Sequence, residues 1–466
     1  MNSLHKGERW KKKLERVWGF KMKLSDIAKI TMGQSPSSKD VYDYPNGIAL
    51  LNGPTEFTDF SPIPKQYTNA GKKFSKNGDI LFCVRGSTAG RMNFSNQTFA
   101  IGRGLAAISG YNGYTTEFIR VILENKLPDI LNSATGSTFP NISRNQLLNI
   151  EIKNIDPNKA NNIGLFYKSI YRKIELNTQT NQTLEQIAQA IFKHWFINFA
   201  PVHAKANALA RGETIEQAEL AAMACLSGKT VEKITALKTQ DPTTYHQLQQ
   251  TARAFPSEFV ESEMGLVPKG WERTTLTHIC EMKNGYAFKS KEWTDEGIPV
   301  IKIGSVKPML IELDNGSFVA AENETLRADF LASEGDILVG LTGYVGEVGR
   351  IPYQEKAMIN QRVAKFMPKK ITETMNYYCF IYCLARQKEF KAFTEMNAKG
   401  SAQANISTKE ILSYPVIIAT KEIHIAFENT VKNLLDKIIV NSGENSTLAK
   451  TRDELLPRLL SGEIEL

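Results

Sequence analysis

The residues best equipped for chemistry lie in short glycine-punctuated stretches. Arg85-Gly-Ser87-Thr88-Ala-Gly-Arg91 places two guanidinium groups and two hydroxyls close together. Ile101-Gly-Arg103-Gly104 adds a third arginine between glycines. Arginine grips phosphates or guanine edges with paired donors, and Ser and Thr serve either. Further along, Thr342-Gly-Tyr344-Val-Gly346 and Ile359-Asn-Gln361-Arg362 take matching places with different polar residues. Arginines in such loops also read as ordinary surface charges. The candidate DNA contacts are therefore Arg85, Ser87, Thr88, Arg91, Arg103, Thr342, Tyr344, Gln361 and Arg362. Asn141, Ser143, Asn405 and Ser407 precede short helical stretches and read as helix N-caps.

The signatures of catalysis do not assemble. Ser227-Gly-Lys-Thr230 resembles the end of a phosphate-binding loop, but Met223 stands where its first glycine belongs. Gly343, Gly346 and Gly349 have the wrong spacing for a dinucleotide fingerprint. No Pro-Pro pair is available to hold a flipped adenine, and no Gly-x-Ser-x-Gly elbow presents a nucleophile. The six histidines are scattered. Cys379 and Cys383 share a helix face, but no His or Cys pair joins them, so core packing is expected and no metal site.

The elements that position the polar loops occur twice. Leu24-Ser-Asp-Ile27, Ile30 and Gly33 return as Leu276-Thr-His-Ile279, Met282 and Gly285. Gly78-Asp-Ile-Leu81 returns as Gly335-Asp-Ile-Leu338, and Gly136, Asn141, Ile142 and Ser143 as Gly400, Asn405, Ile406 and Ser407. The offset widens along the chain, so the second copy carries small insertions. Apolar, β-branched runs at 79–84 and 336–341 read as buried strands, and turn signals precede strands at 48–51 and 298–303. Residues 116–131 and 374–393 have helical periodicity. Each copy then runs into a long amphipathic helix, of about 55–60 Å at 1.5 Å per residue. Its stripe is Ile174, Leu184, Ile187, Ile191 and Trp195 in the first copy, and Ile438, Leu448, Leu455 and Leu459 in the second. Phe192, Trp195 and Phe196 fit either a buried core or a seat for a partner. Between the copies, 204–224 reads as helix and 255–271 as an extended, proline-punctuated linker.

A chain of 466 residues with 42% hydrophobic and 23% charged residues is neither disordered nor a membrane bundle. No apolar run approaches the roughly 20 residues of a span. Five scattered cysteines point to a reducing cytoplasm. The first 24 residues carry eight Lys/Arg against Glu8 and Glu15, most of the net +8. This basic stretch fits a polyanion-binding helix, a membrane-surface helix or a solvated extension.

Taken together, these residues resemble the specificity subunits of type I restriction–modification systems. The closing Leu448-Ala-Lys-Thr-Arg-Asp-Glu-Leu-Leu-Pro-Arg-Leu-Leu-Ser-Gly-Glu463 looks like that family's C-terminal helix. Glu261-Ser-Glu-Met-Gly-Leu-Val-Pro-Lys-Gly-Trp271 looks like its entry to a second recognition domain, and the two Gly-Asp-Ile-Leu strands like its recognition-domain signature. The resemblance implies an α+β fold of two tandem target-recognition domains, each followed by a long helix, the two helices packing as an antiparallel coiled-coil spacer. The expected divisions are a basic extension (1–22), domain 1 (23–155), the central helix (156–200), a helical insertion and linker (201–270), domain 2 (271–418) and the C-terminal helix (419–466). It further implies a non-catalytic cytoplasmic subunit that reads a bipartite, asymmetric double-stranded DNA site. Its partners would be two methyltransferase and two restriction/translocase subunits. S-adenosylmethionine, ATP and Mg would sit on those partners and none on this chain. The other reading is a duplicated scaffold that organises protein partners without touching DNA, since little charge remains outside the N-terminal stretch.

Overall fold

Each mixed domain is closed by its own two ends. In the computed structural model, which describes residues 21–135, 140–262, 265–313, 316–400 and 403–466, the strand Lys21–Lys23 pairs antiparallel with Glu151–Lys153. Glu272–Thr275 pairs in the same sense with Pro415–Ile418. The basic stretch over 1–20 lies outside the described residues. Lys21 and Met22, assigned above to the extension, belong to this strand.

Inside each clasp the chain builds two small sheets. In the first domain, Ala28–Met32, Leu105–Gly110, Ile80–Cys83 and Met92–Phe94 lie in that order, all antiparallel. The second domain repeats the order with Cys280–Asn284, Val363–Pro368, Ile337–Gly340 and Val348–Arg350, and adds Met309–Leu310 at the edge. The other sheet runs Val41–Tyr42, Gln66–Thr68, Ile48–Leu51, Ala100–Ile101 in the first domain. In the second it runs Trp293–Thr294, Phe318–Val319, Ile298–Ile301, Lys356–Ile359, extended by Leu331–Ser333. The Ile80–Cys83 and Ile337–Gly340 strands are buried throughout, as their unbroken apolar runs require.

Two long helices complete the fold, Pro157–Phe192 and Lys421–Ser461. The chain divides into two compact units, Met1–Leu176 with Asn445–Leu466, and Asn177–Glu444. In the first unit, Ile163 and Tyr167 of the central helix share one core with Leu456 and Leu459 and with the sheet residues Ile80, Phe82 and Ile108. In the second unit, Ala188 and Phe192 share a core with Phe427, Val431, Leu435 and Ile438. Here Asn177 donates to Glu444 at 2.9 Å and Asn441 to Asn181 at 2.8 Å, a pairing that makes the two helices antiparallel.

The helix stripe read from the sequence needs correction at Ile187. Ile187 is 42% exposed and does not pack. The inward residues are Ala188, Ile191 and Phe192, one to two turns beyond Glu185, whose carboxylate is taken inward by Tyr382 and Arg386. A strict step of three and four carried the apolar count onto the wrong side of Leu184. Trp195 is only 4% exposed, against Phe255 at 5.3 Å and Phe427 at 5.7 Å between ring centroids. It belongs to the buried core, as do Phe192 and Phe196. The helix ends in a π turn over Lys193–Ile197, which lets adjacent Trp195 and Phe196 both point inward.

The segment between the copies is more structured than the sequence suggested. It forms four helices, Ala200–Ala210, Ile215–Ser227, Val231–Gln240 and Pro242–Ala254. Ala222, Met223, Ile234, Tyr245 and Ala252 make a small core of their own. The linker expected to be extended folds back as a hairpin, Phe259–Ser262 on Gly265–Pro268.

Candidate nucleic-acid interface

The Arg85–Arg91 stretch is the tip of the hairpin joining Ile80–Cys83 to Met92–Phe94. Gly86 and Gly90 hold φ of +83° and +89°, a left-handed conformation that side chains with a Cβ resist. Gly90 donates to the Cys83 carbonyl at 2.8 Å, and Cys83 to that of Arg91 at 2.8 Å. The tip is thus fixed by its backbone, leaving Arg85, Ser87 and Arg91 exposed and Thr88 half-buried. Arg85 Nε donates to Asn141 Oδ1 at 3.1 Å.

Two further segments brace this tip. Ile142 N–H donates to the Val84 carbonyl at 2.9 Å, and Gly86 N–H to that of Pro140 at 3.0 Å. On the other flank, Val84 N–H donates to the Gly104 carbonyl at 2.9 Å. That contact brings exposed Arg103 beside the arginine loop.

The second domain reproduces the same scaffold bond for bond. Ile406 N–H donates to Leu341, Gly343 N–H to Ala404 and Leu341 N–H to Arg362, each at 2.9 Å. The side chains it presents differ. Tyr344 is 68% exposed. Gln361 and Arg362 are exposed, and Arg362 Nη1 donates to Gln403 Oε1 at 3.1 Å. Thr342 is only 7% exposed, and its hydroxyl donates to Asn405 Oδ1 at 2.7 Å. Thr342 therefore positions the loop and offers no free hydroxyl to a ligand.

Asn141 and Asn405 also change role. The helix caps are Ser143 and Ser407, whose hydroxyls accept from the Gln146 and Glu410 amides at 3.2 Å. The asparagines, two residues earlier, hold the loops through Arg85 and Thr342 instead. Sequence reasoning missed them as clamps, although their shared place in both copies was the signal.

The second loop is anchored by a chain of charges. Lys391 Nζ donates to Glu347 at 2.9 Å; Arg386 bridges Glu347 at 3.3 Å and Glu185 of the central helix at 3.2 Å. Tyr382 hydroxyl also donates to Glu185, at 2.8 Å. Glu428 of the C-terminal helix accepts from the Cys379 and Phe380 amides at 2.8 and 2.9 Å, at the start of helix Tyr378–Ala385. Burial raises the Glu428 carboxyl above its ordinary range, opposed by those two amides. Cys379 and Cys383 are fully buried in this core, which raises both thiols.

The chain has relatives among known proteins. A family model described as the type I restriction modification DNA specificity domain matches residues 17–186 and 268–446. The chain belongs to that family. The type I restriction enzyme HindI specificity subunit of Haemophilus influenzae is 32% identical over 461 residues, covering 91% of this chain and 96% of its own. The MjaIX specificity subunit of Methanocaldococcus jannaschii is 24% identical over 480 residues, covering 97% and 95%. Among solved structures, a type I restriction–modification S subunit from M. genitalium aligns over 94% of this chain and 95% of its own, at 19% identity and a TM-score of 0.46. This specificity chain is thus an α+β protein with two target-recognition domains and two long helices. Among its described residues, no helix is long and apolar enough to cross a membrane.

Proposed function

We propose that this chain reads a bipartite, asymmetric DNA site, one half with each recognition domain. The observation that supports it is the pair of matched loop scaffolds with unmatched side chains. Arg85, Ser87, Thr88, Arg91 and Arg103 face one half-site; Tyr344, Gln361 and Arg362 face the other. Arginine-rich and tyrosine/glutamine-bearing loops have different donors and acceptors, so the halves they favour differ. The long helices set the unread spacer. The same chain recruits two methyltransferase and two restriction/translocase subunits in the cytoplasm. Those partners hold S-adenosylmethionine, ATP and Mg and carry out the chemistry, with no catalytic residue supplied from here.

The deciding experiment maps methylated adenines, by single-molecule sequencing, in cells carrying the chain with its neighbouring methyltransferase and in cells lacking it. A split motif that appears only with the chain supports the reading. Exchanging residues 24–149 for another recognition domain then changes one half-site and leaves the other. Association of the proteins without a split motif overturns it in favour of a protein scaffold.

A further inference from the structure

Beside Arg103 lies an open polar concavity of about 960 Å³ in the first recognition domain, lined by Ser35, Asp43, Asn52 and Gln66 among others. These four form one directed hydrogen-bond chain. Ser35 Oγ donates to Asn52 Oδ1 at 3.2 Å, Asn52 Nδ2 to Gln66 Oε1 at 3.2 Å, and Gln66 Nε2 to Asp43 Oδ1 at 3.3 Å. Ser35 Oγ in turn accepts from the Arg103 N–H at 3.1 Å. An ionised carboxylate only accepts, so Asp43 fixes which way the Gln66 amide points. Gln66 then fixes Asn52. Both carboxamides are oriented before any ligand arrives.

The backbone around Asn52 is equally constrained. A Cβ at Gly104 would stand 2.6 Å from the Asn52 carbonyl oxygen, and one at Gly102 would collide with Asn52 Oδ1. Gly102 N–H donates to the Leu51 carbonyl at 2.8 Å. These glycines press the Arg103 segment, and through Val84 the arginine loop, against Asn52. Asn52 itself is exposed.

An amide oxygen has two lone pairs and an amide nitrogen two protons. The chain uses one of each on Asn52. One donor and one acceptor remain. Adenine offers the complement in the major groove, N7 accepting and N6 donating, whereas guanine offers two acceptors. We propose that Asn52 reads an adenine edge in the half-site of the first recognition domain, with Ser35, Gln66 and Asp43 as its positioning residues. This rests on the DNA-reading proposal above. In the second domain the register Leu51–Ile101 corresponds to Ile301–Ile359, which puts Lys302 at the place of Asn52. Lysine only donates, so that half-site lacks this adenine contact.

The test uses the assembled complex with its methyltransferase. Methylome mapping of the wild type first defines the split motif; its absence would sink the DNA-reading proposal and not this one alone. Given a motif, Asn52→Ala relaxes one adenine position of one half-site and leaves every other position unchanged. Asp43→Asn, which frees the amides to turn, weakens discrimination at that same position. An unaltered motif in Asn52→Ala overturns the inference. A second measurement needs no variant. Binding of the wild-type complex to duplexes with 7-deazaadenine at each half-site adenine in turn should fall roughly tenfold to a hundredfold at one position. Uniform binding across that series, or a first half-site without adenine, overturns the inference even where Asn52→Ala fails to fold.

Discussion

His424 gives the second unit a pH dependence that can be calculated. Its ring is fully buried, stacked on Phe196 at 5.3 Å and flanked edge-on by Phe380 at 4.7 Å and Tyr377 at 4.9 Å. Nε2 accepts from the Ala419 amide at 3.2 Å, so the neutral ring is the form that fits. Burial lowers its pKa from 6.5 to about 3. A histidine whose folded pKa is depressed contributes stability that is complete above 6.5 and is lost as pH falls toward 3. Between pH 7 and 5 the unfolded chain takes up a proton that the folded chain refuses, which costs about 2 kcal/mol. Glu428, with its raised pKa, works in the opposite direction, folding more favourably as acid protonates it. Comparison with His424→Gln isolates the histidine, because glutamine keeps an acceptor for Ala419 and does not titrate. Urea unfolding at pH 7, 6 and 5, followed by fluorescence of buried Trp195 and Trp271, yields the difference from midpoints at constant m. Wild type should lose about 2 kcal/mol more than the variant over this range. Parallel losses would refute the reasoning.

Trp195→Ala removes a buried indole from the aromatic core and should lower stability by about 3–5 kcal/mol, read from the urea midpoint of the same unit. Arg85→Ala and Arg91→Ala should each reduce the slope of log affinity against log salt by about 0.9 in DNA-binding titrations, if each meets one phosphate. A change at one base position with an unaltered slope would identify the arginine as a base reader instead. Asn181→Leu strands the buried Asn441 amide and should cost about 1–3 kcal/mol, whereas the Asn181→Leu, Asn441→Leu double variant should recover most of it. A thermodynamic cycle over the four proteins measures the coupling.

The duplication was legible in the sequence because it is carried by residues that cannot vary freely. Gly33 and Gly285 press on the neighbouring backbone, and the Ile80 and Ile337 strands are buried on both faces. The loops between them were legible as polar but not as geometry. Whether a hydroxyl is free depends on a partner far along the chain, so Thr342 looked available until Asn405 was seen to hold it. Asn52 was invisible for the same reason, since Ser35, Asp43 and Gln66 meet only through the sheet. Ile187 was misplaced because periodicity reports a face and not which edge of it is wet. The insertion was legible as helix over 204–224, but the helices Val231–Gln240 and Pro242–Ala254 were not, because each gives its small shared core only one or two buried residues, among them Ile234, Tyr245 and Ala252.

The antiparallel clasps have a consequence for heredity. Lys21–Lys23 beside Glu151–Lys153, and Glu272–Thr275 beside Pro415–Ile418, bring the entry and exit of each recognition domain to adjacent strands, about 5 Å apart. A gene segment bounded by those codons encodes a closed excursion from the helical frame. Recombination between related genes at the two clasps would replace all of one domain and none of its supports. New pairings of half-sites could then arise in a single event, provided the incoming domain keeps the apolar face that meets Ile163, Tyr167, Leu456 and Leu459.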